Sequence, residues 1–343
     1  MFDPSRGVHV IAEAGTNHAG RLDLGRTLVD IAARARAHSV KFQLIYPEGL
    51  YLPELPTEHG YAPNEVFERR AAMMLPDEDW ERLAEYAGEK GIPFASSVFD
   101  ERGIAMMDRL DAAYLKFASC DLNNSRLLKT GADTGRPIIL STGMATLGEI
   151  ERAVSDVLAT GNANIAVLHC VSMYPAPLAE MNLGMIATLR SAFGLPVGLS
   201  DHTEDSRAAV MAVALGARLF EKHCTYSRQA DGFDHAYAME PEMLQEYVAD
   251  VQAAARAMEP ARTKLRGGEQ QLKPRARRGV HAARDIAEGE TITQEHLTVV
   301  RPEGPLVPND VELIIGRRAS RPVRRFEALS HGAVEEAPAE AAV

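Results

Sequence analysis

Two lysines stand inside runs that are otherwise apolar, Lys41 in SVKFQ and Lys116 in YLKFAS. Burying an ammonium without a partner is expensive, so each needs a carboxylate or a bound anion. A structural answer is an ion pair with Glu13 or Asp121. A functional answer is a phosphate or carboxylate site. Ser97, Ser119, Ser141 and Ser200 end neighbouring runs and can donate to the same anion. One such serine would say little, because strand-end serines often only cap helices. Four on separate runs, beside two lysines, form a pattern. His202 in GLSDHT and His223 in EKHC are satisfied core histidines or a pair sharing one divalent ion. Two protein ligands would leave positions open for a substrate oxygen, which suits polarisation of a carbonyl. Glu13 is a charge within the apolar VIAEAG. Asp121 and Asp234 follow further runs and can face the same site, although a loop carboxylate such as Asp234 is usually just solvated. Tyr174 in CVSMYPAP either stacks on a polyol or packs beside Pro175 and Pro177.

The elements that must position these residues are eight short apolar runs between residues 8 and 224: HVIAEAG, SVKFQ, PFASSV, YLKFAS, PIILST, IAVLHCV, PVGLSD and LFEKHC. Nearly every run ends in a residue able to bind an anion, bind a metal or move a proton. In chain order these are Glu13, Lys41 with Gln43, Ser97, Lys116 with Ser119, Ser141, His169, Ser200 with His202, and Lys222 with His223. Amphipathic stretches of helical period separate the runs. The pattern predicts an α/β fold, a (β/α)8 barrel with its active site at the C-terminal ends of the strands.

Composition fits an enzyme and excludes several classes. The 343 residues can bury a large core and divide into more than one domain. A net charge of −11 speaks against a nucleic-acid partner. No apolar stretch approaches the roughly 20 residues that span a bilayer, and MFDPSRGVHVIAEAG has no signal-peptide pattern. The three cysteines, Cys120, Cys170 and Cys224, lie in or beside apolar runs, as expected of a reducing cytoplasm. Walker-type, GxGxxG, HExxH and GxSxG motifs are absent from the sequence.

The barrel pattern ends with the amphipathic stretch PEMLQEYVADVQAAARAM, giving a barrel domain over 1–258. A Pro-, Arg- and Gly-rich stretch over 259–278 reads as a linker. A compact β-rich unit over 279–328 follows, with ten Arg against seven Asp plus Glu between 275 and 325. At that size it is marginal as a free domain. Residues 329–343 read as a disordered tail.

These segments resemble the sialic acid synthase family, the bacterial N-acetylneuraminate synthases and their close relatives. The resemblance rests on VIAEAGTNHAG, SVKFQ, GIPFASSVFD, YLKFASCDLNN, GRPIILSTGMATLGEI, LHCVSMYPAP, GLPVGLSDHT, ALGARLFEKHCT and GFDHAYAMEP, in order and with compatible spacing. In the C-terminal part, GVHAARDIAEGETITQEHLTVVRPEG resembles the family's antifreeze-like, or SAF, domain. The resemblance implies condensation of phosphoenolpyruvate with an N-acetylmannosamine-type sugar to give a nine-carbon 2-keto acid and phosphate. It implies that Lys41, Ser97, Lys116, Ser119, Ser141, Ser200 and His202 hold phosphoenolpyruvate, and that His202 and His223 bind Mn2+ or Mg2+. Gln43, Asp121, Tyr174 and Asp234 would face the sugar, and Glu13 would lie near the reacting centre. Arg301 would reach from one subunit into the barrel of its partner in a homodimer with swapped C-terminal domains.

Departures from the family pattern bear on the sugar. Asp121 stands where Glu is frequent, Ser172 where Asn is common as a substrate contact, and GFDH replaces GPDH. The segment 51–75 matches poorly. Legionaminic or pseudaminic acid synthases, or a relative accepting a 6-phosphate sugar, share the same barrel chemistry. A catalytically silent carbohydrate-binding relative would be expected to lose Lys41, Lys116, His202 or His223, and all four are present.

Overall fold

The computed structural model describes residues 7–259, 265 and 267–335. The chain divides into two compact units, Met1–Glu259 and Pro260–Val343.

Among its described residues the first unit contains ten strands: β1 His9–Gly15, β2 Ser39–Leu44, β3 Glu54–Thr57, β4 Gly60–Pro63, β5 Phe94–Val98, β6 Leu115–Phe117, β7 Ile138–Ser141, β8 Ile165–Cys170, β9 Val197–Asp201 and β10 Leu219–His223. Eight of them close a barrel in the order β1-β10-β9-β8-β7-β6-β5-β2. Every neighbouring pair in it is parallel. These are the eight expected runs. β3 and β4 form a separate antiparallel hairpin, inside the segment that the family pattern did not cover.

Strand period decides which side chains enter the barrel. Successive residues alternate sides, so Ile11, Ala95, Tyr114, Ile139, Ala166, Leu168 and Leu219 pack together as an inner apolar layer. One strand step nearer the C-terminal ends, the same inward parity brings Glu13, Lys41, Ser97, Lys116, Ser141, Cys170, Ser200, Glu221 and His223 to the mouth. Register fixes their neighbours: Glu13 pairs with both Lys41 and His223, Ser97 with both Gln43 and Lys116, and Ser200 with both Cys170 and Glu221. The outward parity, including Val10, Phe42, Phe117, Leu140, Val167, Leu199 and Phe220, packs against the surrounding helices in the main core. Gly198 is required by a close approach, since a Cβ there would meet the Leu219 carbonyl oxygen at 2.2 Å and Leu168 Cδ2 at 2.6 Å.

The helices after the strands begin at defined caps, which fixes the loops that carry the site. Asp100 accepts from the Gly103 N–H at 2.6 Å and Asn124 from the Leu127 N–H at 3.2 Å. Thr146 and Glu149 form a capping box at the helix Leu147–Leu158.

In the second unit, strands β11 Gly279–Ala282 and β12 Leu297–Val300 pair antiparallel. Val280, Ala282, Ile286, Ile292, Leu297, Leu306, Ile314 and Val323 build its small core. Two expectations differ here. The stretch read as a linker over 259–278 contains a helix, Gly267–Ala276. Good helix formers from Glu269 to Lys273 favour it, and Lys273 and Arg277 reach Glu303 at 3.8 and 3.5 Å. The residues after 328 were read as tail, yet Leu329, Ala333 and Val334 are buried in the small core. Residues 336–343 lie outside those described. No helix among the described residues is long and apolar enough to cross a membrane.

Candidate active site

The barrel mouth holds an open pocket of about 270 Å³. Twelve of the fifteen residues expected from the sequence line it, drawn from all eight strands or the turns after them. They are Glu13, Lys41, Gln43, Ser97, Lys116, Ser119, Ser141, Ser172, Tyr174, Ser200, His202 and His223. Asp121 and Asp234 lie one residue shell back, Asp121 behind Cys120 and Asp234 behind His223. Arg301 is exposed in the second unit.

The cavity floor is a buried charge network. Lys41 Nζ lies 2.5 Å from Glu13 Oε2 and 3.4 Å from Glu221 Oε2, and donates to Ser97 Oγ at 2.9 Å. Lys116 Nζ lies 3.7 Å from the same Glu221 oxygen and donates to the Phe117 carbonyl at 3.3 Å. Ser200 Oγ donates to Glu221 Oε1 at 2.9 Å, and Gln43 Nε2 donates to Glu13 Oε1 at 2.9 Å. The ion pair of Lys41 with Glu13 is therefore real. Lys116 pairs with Glu221 and not with Asp121. Both lysines also line the pocket, so the ion pairs do not take them away from it.

Burial and charge tune these groups apart. Burial pushes the Glu13 carboxyl up to about 7, against the pull of Lys41. Glu221 is equally buried, but Lys116 and Lys41 hold it well below the usual carboxylate range. Lys41 is raised because Glu13 and Glu221 outweigh its burial, whereas burial lowers Lys116. Burial also raises Asp121 to about 6 and lowers His223 to about 4.

Several polar atoms facing this region are buried and have no hydrogen-bond partner: Ser141 Oγ, His223 Nδ1 and Asp234 Oδ2. Buried polar groups are rarely left so, and the set offers both donors and acceptors to a bound polar molecule. The two imidazoles face each other with ring centroids 5.5 Å apart. His202 Nδ1 bonds the Val171 carbonyl at 2.9 Å, which fixes the proton there and leaves Nε2 as a free lone pair. His223 Nδ1 lies 3.8 Å from Asp234 Oδ2, both unpartnered. Among the described residues no group of three or more His, Cys, Asp or Glu forms a metal cage. The donor set fits an open site of two imidazole ligands with room for exogenous oxygens, not a closed one.

The turn after β10 and the loop after β8 complete the wall. Tyr237 donates to Asp234 Oδ1 at 2.6 Å and stacks near Tyr174, whose ring lies 4.2 Å from that of His202. Gly15 has a positive φ of 55°, and a Cβ there would meet Asp234 Oδ2 at 2.8 Å, so glycine keeps the space between Asp234 and Glu13 open.

Two residues named among the chemistry-bearing set point away from the cavity. Lys222 faces outward, where its Nζ pairs with Asp201 at 3.4 Å and lies over the Tyr247 ring. His169 also faces outward and bonds the Met181 carbonyl at 2.7 Å. Both are satisfied structural residues. Glu221 and Cys170 were missed. The signal was available, because Glu221 shares the parity of His223 and Cys170 that of Leu168.

The site is thus a polar pocket with paired charges at the C-terminal face of a closed parallel barrel. The chain belongs to the NeuB family, whose model matches residues 28–263, and a SAF domain follows at residues 277–331. It is 34% identical over 320 residues to the N,N'-diacetyllegionaminic acid synthase of Legionella pneumophila, covering 91% of this chain and 90% of that protein. It is 31% identical over 337 residues to the pseudaminic acid synthase of Campylobacter jejuni, covering 96% and 98%. Among solved structures it resembles the N-acetylneuraminic acid (sialic acid) synthetase of Leptospira borgpetersenii, determined in complex with citrate. That match has a TM-score of 0.70 and 33% identity, and covers 77% of this chain and 90% of the other.

Proposed function

We propose that this pocket condenses phosphoenolpyruvate with an N-acetylmannosamine-type sugar, giving an N-acetylneuraminate-type nine-carbon 2-keto acid and phosphate. The observation that carries the reading is the floor of the cavity. Lys41 and Lys116 flank one carboxylate, Glu221, and open onto the same space as Ser97, Ser141 and two histidines. The lysines and serines hold the phosphate and carboxylate of phosphoenolpyruvate so that its carbon 3 meets the sugar aldehyde. A divalent ion, Mn2+ or Mg2+, held by His202 and His223 would supply Lewis-acid polarisation of the aldehyde oxygen. Attack by carbon 3 leaves positive charge at carbon 2, which Glu221 and Glu13 offset. One water adds at carbon 2, and the tetrahedral species loses phosphate by C–O cleavage. Glu13 takes the proton of that water, for which a carboxyl poised near 7 is suited.

Gln43, Tyr174, Asp121 and Asp234 are assigned to the sugar. We further propose a homodimer in which Arg301 of one subunit completes the partner's pocket. Mixing Arg301→Ala subunits with Lys116→Ala subunits tests this. A swapped heterodimer has one intact site and regains activity, whereas an unswapped one does not. The likeness to legionaminic and pseudaminic acid synthases supports a second reading in which the sugar carries an additional acylamino group. Sugar-dependent phosphate release across a panel of amino sugars, with and without chelation and Mn2+, tests the reaction and names the acceptor. Phosphate release that is independent of every sugar contradicts it.

A further inference from the structure

The strand ends that carry His202 and His223 are tied together behind the barrel wall by a charge pair that the chemistry above does not use. On both strands the outward side chain one repeat earlier is apolar, Leu199 on β9 and Phe220 on β10, and sits in the main core. The next outward positions hold Asp201 and Lys222, 1% and 2% exposed, which are partners in the strand register. Lys222 Nζ lies 3.4 Å from Asp201 Oδ2 and donates to the Thr203 carbonyl. The other Asp201 oxygen accepts from the Thr203 N–H at 2.9 Å and from the Thr203 hydroxyl at 2.7 Å. Tyr247, on the helix Pro241–Ala257, donates to Asp201 Oδ2 at 3.0 Å, and its ring lies 5.1 Å from Lys222 Nζ.

The places of these residues in the chain matter more than their charges. β9 ends at Asp201, so the backbone of His202 has left the ladder. The Asp201 side chain closes over it onto Thr203, and Lys222 holds the Thr203 carbonyl from the neighbouring strand. Lys222 in turn directly precedes His223, the last residue of β10. Asp201, Thr203 and Lys222 therefore each adjoin an imidazole-bearing residue, and one ammonium joins the two strand ends. A buried ion pair is a poor source of stability, because apolar side chains of similar volume serve a core as well or better. A fully satisfied polar network does hold its backbones in one arrangement. Metal ligands depend on such support, and altering the groups behind them costs about tenfold to a hundredfold in metal affinity.

We propose that Asp201 and Lys222 are positioning residues for the histidine pair, a strut outside the barrel that sets the spacing and tilt of the His202 and His223 imidazoles. This rests on the reading of those two histidines as ligands of a divalent ion. The test is Mn2+ binding by the full-length chain, followed through the electron paramagnetic resonance signal of the free ion, beside thermal melting and inorganic phosphate binding. Asp201→Leu combined with Lys222→Met fills the space without charge, so its Tm should equal or exceed that of the wild type. Its Mn2+ Kd should still rise by about tenfold. Phosphate, which meets Lys41 and Lys116 on other strands, should bind within about twofold of the wild type. Tyr247→Phe removes one hydroxyl from the network and keeps the ring, and should raise the Mn2+ Kd by about threefold. A wild-type Mn2+ Kd in either variant overturns the strut and leaves the metal reading intact. So do equal losses of Mn2+ and phosphate binding, which would mean a general loosening of the barrel mouth. A wild-type protein that binds no Mn2+, or binding that survives unchanged in His202→Ala/His223→Ala, overturns both.

Discussion

Replacing Glu221 with Gln keeps its shape and removes its charge. The carboxylate sits 3.4 Å from Lys41 Nζ and 3.7 Å from Lys116 Nζ. At an effective dielectric of about 20 these two attractions are worth about 5 and about 4.5 kcal/mol before desolvation is subtracted. Removing one partner of a buried ion pair destabilises by about 3–5 kcal/mol in practice, because the surviving charge stays buried. Lys41 retains Glu13, so Lys116 carries most of the loss. For a unit of this size the expected fall in Tm is about 6 to 10 °C. An oxyanion between the lysines replaces the missing charge. Inorganic phosphate should therefore raise the Tm of Glu221→Gln more than that of the wild type, and bind about tenfold more tightly by isothermal titration. Thermal scans of both proteins with and without phosphate suffice. A variant with wild-type Tm and a wild-type phosphate response would refute the claim that Glu221 holds the two lysines for an anion.

Lys116→Ala should raise the KM for phosphoenolpyruvate by about tenfold to a hundredfold and leave that for the sugar nearly unchanged, by initial-rate kinetics. Glu13 has a native pKa of about 7 against 4.5 ordinarily, so the folded state holds the proton longer than the unfolded one. Its contribution is complete below about pH 4.5 and lost as pH rises through about 7. Urea unfolding should accordingly show a component of stability falling across that window in the wild type and absent in Glu13→Gln. Gly198→Ala drives a methyl into the Leu219 carbonyl at 2.2 Å. It should destabilise the barrel by about 1–3 kcal/mol, whereas Gly148→Ala, with open space around it, should not.

Much of the fold was legible because barrel strands announce themselves. Each is a short apolar run with its chemistry at the C-terminal end, and all eight lie where such runs stand. Parity within the strands was equally available but was applied unevenly. In LFEKHC a period of two puts Glu221 and His223 inside and Lys222 outside, and reading Lys222 beside His223 mixed the two faces. Loop contacts were another matter. Nothing local tells that Arg70 stacks on Phe233, since that pairing depends on how separate turns meet above the barrel. The same holds for Lys116, whose partner Glu221 lies four strands away around the barrel. The helix Gly267–Ala276 was hidden by the prolines, arginines and glycines around a five-residue stretch of good helix formers.

The most direct measurement uses phosphoenolpyruvate carrying 18O in the oxygen that bridges carbon 2 and phosphorus. It is incubated with the full-length protein, Mn2+ and N-acetylmannosamine, and the products are weighed by mass spectrometry. The account predicts a nine-carbon 2-keto acid and an equal amount of phosphate that retains the label, since the C–O bond breaks and the bridging oxygen leaves with phosphorus. Phosphate without the label, or no sugar-dependent product with any N-acylated amino sugar, would contradict it.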